Sequence, residues 1–174
     1  KLRTEYFDDI ADIDDLKFYE PMTAQKWKDR KGKISYERSF WIQPKLDGIR
    51  CVAQRDGLFS RTGTRIVSSP HISGALVPFF MEYPAAILDG ELYNHELYDD
   101  FNAISSMVRK EKNISEGNIA LSASMVQYHV YDNPGNPQAD FGVRYNELLG
   151  QLAEIGLLSV DSPIKRVPTY LVGS

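Results

Sequence analysis

The feature that most constrains this chain is a charged hexapeptide behind a short apolar run. Phe40-Trp41-Ile42 is followed, after Gln43-Pro44, by Lys45-Leu46-Asp47-Gly48-Ile49-Arg50. The apolar run reads as a buried strand bounded by polar and turn-forming residues. A lysine set against such a strand makes a poor core residue, because an unpaired ammonium is costly to bury. Partly desolvated, it becomes a neutral amine and so a nucleophile. Asp47, two residues on, falls on the Lys45 face under simple strand alternation. Gly48 leaves room for a second backbone or a ligand. Arg50 adds a fixed cation suited to a phosphate or a ribose hydroxyl. Taken alone, the same residues also describe a strand end with an exposed salt bridge and a turn glycine.

The rest of the chain repeats the pattern of short strands that end in chemistry. Strands are expected over 40–46 and 49–55. Arg55-Asp56-Gly57 is a hairpin turn signal, and Leu58-Phe59-Ser60 is the return strand. Arg61 then lies across the hairpin from Arg50. Ala85 to Leu88 reads as a strand delivering Asp89-Gly90-Glu91, two carboxylates on one face that suit a divalent cation or a sugar hydroxyl. An isolated Asp-Gly-Glu reads equally as an acidic turn. Met125 to Tyr131 is a further strand, whose last tyrosine either packs in the core or offers its face to a base. Residues 166–172 form a final strand.

Helices are predicted over 25–29, capped by Thr23 and ended by Gly32, and from Ser69-Pro70 through Leu76, Phe79 and Phe80 to Tyr83. Two more are expected over 99–111 and 145–158. The first carries Phe101, Ile104, Met107 and Val108 on one face and ends in Arg109, Lys110 and Lys112. Complementarity to the helix dipole accounts for those cations, and a nucleic-acid backbone contact is the alternative. The second presents Leu148, Leu149, Leu152 and Ile155 and closes at Gly156.

At 174 residues the chain holds one domain or at most two. A net charge of −4 excludes a molecule that binds nucleic acid by overall charge, but not one with a local basic groove. Cys51 is the only cysteine, so there is neither a disulfide framework nor a cysteine zinc site. His71, His95 and His129 lack metal-ligand spacing. No apolar stretch approaches the roughly 20 residues of a membrane span. A soluble protein of a reducing compartment is expected. Residues 1–20, with Asp8, Asp9, Asp12, Asp14 and Asp15, read as a solvated entry segment. The chain opens on Lys1, which points to a natural start upstream.

Four motifs in order carry a resemblance that each one alone would not. Lys45 to Arg50, Ser60 to Gly63, Asp89 to Leu92 and Tyr131-Asp132 resemble motifs I, Ia, III and IIIa of the ATP-dependent DNA ligases in their compact, bacteriophage-like form. Pro21-Met22-Thr23-Ala24 is similar to the stretch that precedes motif I there. The resemblance covers nearly the whole chain. It implies an α+β, ATP-grasp-like nucleotidyltransferase (adenylation) domain of antiparallel sheets flanked by helices, with the nucleotide in a cleft between them.

It also implies roles. Lys45 would attack the α-phosphate of ATP and carry AMP as a covalent adduct. Arg50 and Arg61 would meet the ribose and phosphates. Glu91 would hold the ribose hydroxyl or Mg²⁺, with Asp47 supporting the lysine and the metal. Tyr131 would stack on adenine, and Gln43, Pro44, Ile42 and Leu46 would line the base pocket. The expected partners are ATP and nicked double-stranded DNA. The expected setting is a monomer in the cytoplasm of a bacterial or phage-infected cell, with roles in replication, repair and recombination. Motifs IV and V and an OB-fold domain would follow Val172, so a fragment of a longer ligase is expected. An RNA ligase, a GTP-dependent capping enzyme and a non-catalytic nucleotide-binding module are the competing readings, with an NAD-using ligase less favoured.

Overall fold

The structure, a computed structural model, describes residues 18–33, 35, 37–110 and 112–173. The expected acidic entry cluster, Asp8 to Asp15, lies outside the described residues. Six helices and seven strands follow in the order α1 (Trp27–Arg30), β1 (Phe40–Ile42), β2 (Ile49–Gln54), β3 (Gly57–Ser60), α2 (Pro70–Ala75), α3 (Val77–Glu82), β4 (Leu88–Tyr93), α4 (Phe101–Val108), α5 (Glu116–Met125), β5 (Gln127–Asp132), α6 (Phe141–Glu154), β6 (Ile164–Arg166) and β7 (Tyr170–Val172) among the described residues. Single 3₁₀ turns occupy Lys31–Lys33 and His95–Leu97.

Five strands form one sheet in the order β3-β2-β4-β5-β6, antiparallel except for the parallel β5–β6 pair. One face of it is apolar. Cys51, Ala53, Leu88, Leu92, Tyr128, Val130 and Ile164 join Ile72, Phe79, Ile104, Met107, Leu148 and Leu152 from the helices in one core. Period-two alternation therefore turns Arg50, Asp89, Glu91 and His129 to the opposite face. Arg50 and Glu91 are direct cross-strand partners, as are Glu91 and His129. Gly90 is required on the core face, because a Cβ there would sit 2.7 Å from the Tyr128 ring. That ring is fully buried, and its hydroxyl donates to the Cys51 and Leu88 carbonyls at 3.0 and 2.8 Å.

Several local expectations change. Phe40–Ile42 is not a buried strand of the main sheet. It pairs with β7 in a separate two-stranded ribbon, where Phe40 and Ile42 stay exposed. Trp41 docks this ribbon by lying edge-on to Phe141, 6.0 Å away, at the start of α6. The strand stops at Ile42, so residues 43–48 are a loop, bent at Gly48, and alternation no longer relates Asp47 to Lys45.

The helix expected over 70–83 is two helices, because Pro78 cannot donate a backbone hydrogen bond to the turn before it. Thr23 does not cap α1, and Ser69 bonds the Ser122 hydroxyl at 3.1 Å instead of capping α2. The final strand divides around Pro168 into β6 and β7, which serve different sheets. Helix α6 begins at Phe141 rather than Tyr145. Helix α5 has no counterpart in the sequence reading: it buries Ser122 rather than an apolar stripe, and only Ser115, which accepts from the Asn118 amide at 3.2 Å, marks its start.

Candidate functional site

A cleft of about 1040 Å³ opens where the Gln43–Gly48 loop crosses the ends of β2 and β4. It collects residues from distant stretches: Gln43, Pro44, Lys45, Leu46 and Gly48 from the loop, Arg50 from β2, Arg61 after β3, Glu91 from β4 and Tyr131 from β5. Thr23 and Ala24 reach its rim from the other side. Every site residue expected from the sequence lines this cleft except Asp47 and Ile42. Asp47 is exposed in the loop, and its charge is felt by the Tyr93 hydroxyl, whose pKa burial and Asp47 raise. Lys45 is exposed as well, rather than packed behind a strand, and points into open cleft.

The loop is held in place by specific contacts. The Gln43 amide donates to the Tyr131 carbonyl at 3.1 Å and to the Thr169 hydroxyl at 2.9 Å, tying loop, sheet and ribbon together. A Cβ on Gly48 would strike the Leu92 carbonyl oxygen and come within 2.9 Å of the Glu91 Cγ. With glycine there, the Gly48 amide donates to Glu91 Oε1 at 3.2 Å. The motif glycine thus permits the loop to lie directly on β4.

Arg50 is fixed by the Asp89 carboxylate, which accepts from its Nε at 3.0 Å and from its Nη2 at 2.6 Å. Its Nη1 donates to the Met22 carbonyl at 2.7 Å. Burial works against the Arg50 charge, yet Asp89 holds its pKa above the usual guanidinium value. Asp89 was legible as a motif carboxylate, but its orienting role emerges only once β2 and β4 pair.

Tyr131 is the extra residue of a bulge, since Asp89 faces Asp132 and Gly90 faces Val130. Bulges re-aim side chains, and this one lines the cleft with Tyr131. Its hydroxyl bonds Asp89, and the Arg50 guanidinium lies 5.8 Å from its ring centroid.

Glu91 is the perturbed acid of the site. Burial pushes its carboxyl from the usual value of 4.5 up to about 7, against the opposing pull of the Gly48 amide, Arg50 and Lys45. No group of three or more His, Cys, Asp or Glu side chains suited to a metal occurs among the described residues. Mg²⁺ takes one or two carboxylates and completes its shell with water and substrate phosphates. Glu91, the one carboxylate lining a cleft rich in cations, fits that mode and no fuller protein cage.

The loop from Ser60 is closed on itself. The Ser60 hydroxyl accepts from the Thr62 and Thr64 amides at 3.3 and 3.1 Å, which turns Arg61 outward into the cleft. Arg65 also lines the cleft, and no motif marks it. It sits 5.4 Å from the Phe59 ring centroid and 4.0 Å from Asp56.

The fold of this chain, a five-stranded sheet packed against helices with a small ribbon beside it, is similar to that of solved ATP-dependent DNA ligases. Among solved structures, a Chlorella virus DNA ligase-adenylate superposes with a TM-score of 0.60 at 17% identity over 87% of this chain. A Lig E DNA ligase gives 0.56 at 21% over 83%, and the bacteriophage T7 ATP-dependent DNA ligase in complex with ATP gives 0.50 at 17% over 84%. This chain spans 49%, 49% and 52% of those three proteins. No protein-family model and no curated protein sequence matches it.

Proposed function

We propose that this chain is the adenylation domain of an ATP-dependent DNA ligase and that Lys45 is its nucleophile. The observation that carries the reading is the convergence of Lys45, Arg50, Arg61, Glu91 and Tyr131 on one cleft from five separate segments.

Lys45 Nζ, once it has released a proton to solvent, attacks the α-phosphorus of ATP. A P–N bond forms as the bond to the β-phosphate oxygen breaks, and pyrophosphate leaves with the electron pair. Lys45 then carries AMP. Adenine lies against the Tyr131 face not covered by Arg50, near the Gln43 end, and Arg50 meets ribose or phosphate from an orientation that Asp89 fixes. Glu91 accepts a ribose hydroxyl or holds Mg²⁺, which supplies charge neutralisation on the phosphates. In the later steps AMP passes to the 5′-phosphate of a nick, which Arg61 would meet, and the 3′-hydroxyl seals it. Those steps belong to the whole ligase.

Intact mass with Mg²⁺ and ATP, beside GTP and Lys45→Ala, tests the first step. An AMP increment from ATP, absent in the variant, is expected. A GMP increment would move the assignment to capping chemistry. Reversible nucleotide binding with no adduct would leave a non-catalytic binding module.

A further inference from the structure

Just past the Tyr131 bulge two carboxylates face one another: Asp132 pairs with Asp89 across β4 and β5 where the register shifts. Like charges directly opposite each other destabilise a strand pair. Asp89 has a guanidinium of its own in Arg50. Asp132 has another, because Arg144 of α6 donates from Nε to its Oδ1 at 3.0 Å and from Nη2 to its Oδ2 at 2.9 Å. The third nitrogen, Nη1, donates to the Ala139 carbonyl at 2.6 Å. The Asn133 backbone amide adds a donor to Asp132 Oδ1 at 2.8 Å. Both side chains of the pair are only 16% exposed, so it is a forked, shielded contact rather than a loose surface one.

Helix α6 by itself gives no reason for an arginine at 144. The position lies close to the N-terminal end of the helix, where the macrodipole disfavours a cation. Neither Arg144 nor Asp132 lines the cleft, so neither is placed to touch what binds there. Tyr131 stands between them and the cleft, and its carbonyl accepts from the Gln43 amide on the other side. The bulge is thus pinned at both flanks, by the cleft loop through Gln43 and by α6 through Arg144. Phe141, also at the start of α6, braces the ribbon through Trp41. One helix end therefore supports both the bulge and the ribbon that leads into the Gln43 loop.

We infer that Arg144 is a positioning residue for Tyr131: its grip on Asp132 holds the β5 bulge that presents the Tyr131 ring to a nucleobase. The inference rests on the reading of the cleft as a nucleotide site and adds to it a residue that touches no nucleotide. Without Arg144 the Asp132 charge faces Asp89 uncompensated, the register at the bulge loosens and the ring loses its fixed presentation. The loss then falls on the base and not on the phosphate chain, which Lys45 and Arg61 would meet.

The test is equilibrium binding of ATP and of inorganic tripolyphosphate, which carries a phosphate chain without a base. Arg144→Gln is expected to weaken ATP on the order of tenfold, the share of one aromatic–base stack, and to leave tripolyphosphate unchanged. In a Tyr131→Ala background the same substitution should change ATP affinity by no more than about twofold, because the ring it positions is gone. Adding Asp132→Asn to Arg144→Gln removes the charge that faces Asp89 and should recover ATP affinity. Arg144→Lys keeps the charge and loses the fork; it should show a smaller loss, and it carries the same comparisons if the glutamine variant does not fold. Glu154→Gln loosens α6 at its far end, where Glu154 accepts from the Tyr83 hydroxyl at 2.7 Å, and should bind ATP as the wild type does. Wild-type ATP affinity in both Arg144 variants overturns the positioning role. So does an undiminished loss in the Tyr131→Ala background, an equal loss of tripolyphosphate, an equal loss in Glu154→Gln, or no recovery in the neutral pair. Each of those would make Arg144 a general brace of the fold. A wild type that binds no ATP would overturn the nucleotide reading itself, and this role with it.

Discussion

Replacing Glu91 by glutamine should change how stability depends on pH in a direction opposite to that of most carboxylates. Burial raises the folded-state carboxyl from 4.5 to about 7. Between those values the folded chain holds a proton that the unfolded chain has lost. Raising the pH strips that proton from the folded state, so the wild type loses stability from about pH 4.5 up through 7. At 1.36 kcal/mol per pH unit the loss is on the order of 3 kcal/mol.

Glutamine keeps an oxygen to accept from the Gly48 amide, now 3.2 Å from Glu91 Oε1, and carries no titrating proton. His129 faces Glu91 across β4 and β5 and has a pKa lowered to about 4, by burial and then by Lys165 and His95. It remains in both proteins, so its own stability change, a loss as pH falls from 6.5 toward 4, largely cancels in the comparison. Urea unfolding of wild type and Glu91→Gln at pH 4.5, 6, 7 and 8 measures the difference. It should grow in favour of the variant by on the order of 3 kcal/mol across that range. A difference that stays constant with pH would refute a buried, proton-holding Glu91. The same variant should lose AMP adduct, since the group that burdens the folded state is the one proposed to act on the nucleotide.

Gly48→Ala should destabilise the chain by about 1–3 kcal/mol in urea titrations, because its Cβ has no room beside the Leu92 carbonyl and Glu91. It should also reduce the AMP mass increment, and a variant with full adduct would show that the loop need not lie on β4. Tyr128→Phe leaves the ring and removes a buried hydroxyl that donates to two carbonyls. A loss of about 1–3 kcal/mol is expected by thermal or urea unfolding, and a neutral result would mean that water or another donor replaces it.

Short-range chemistry was legible in the sequence. The Arg55-Asp56 turn between β2 and β3, the buried Ile104, Met107 and Val108 face of α4, and Leu148 and Leu152 of α6 are local patterns, and they fold as written. Although Lys45 and Asp47 fall in a loop rather than on the expected strand, the motif residues and their order were also legible in the sequence. The break at Pro78 was written there too, and the apolar run around it masked it. Helix α5 was not readable from periodicity, since it covers the core with a serine.

Sheet membership lay beyond the sequence. Whether Phe40–Ile42 joins the main sheet or a ribbon depends on a partner far along the chain, Phe40 facing Val172, and alternation carries no information about that choice. The same holds for Asp89 clamping Arg50, for the bulge that releases Tyr131, and for Arg109 and Lys110 lining the same cleft as Arg61. Residue types and their order determined which chemistry this chain can carry. Long-range pairing and packing decided which groups share a cleft, because cross-strand register and side-chain contact exist only after the chain has closed on itself.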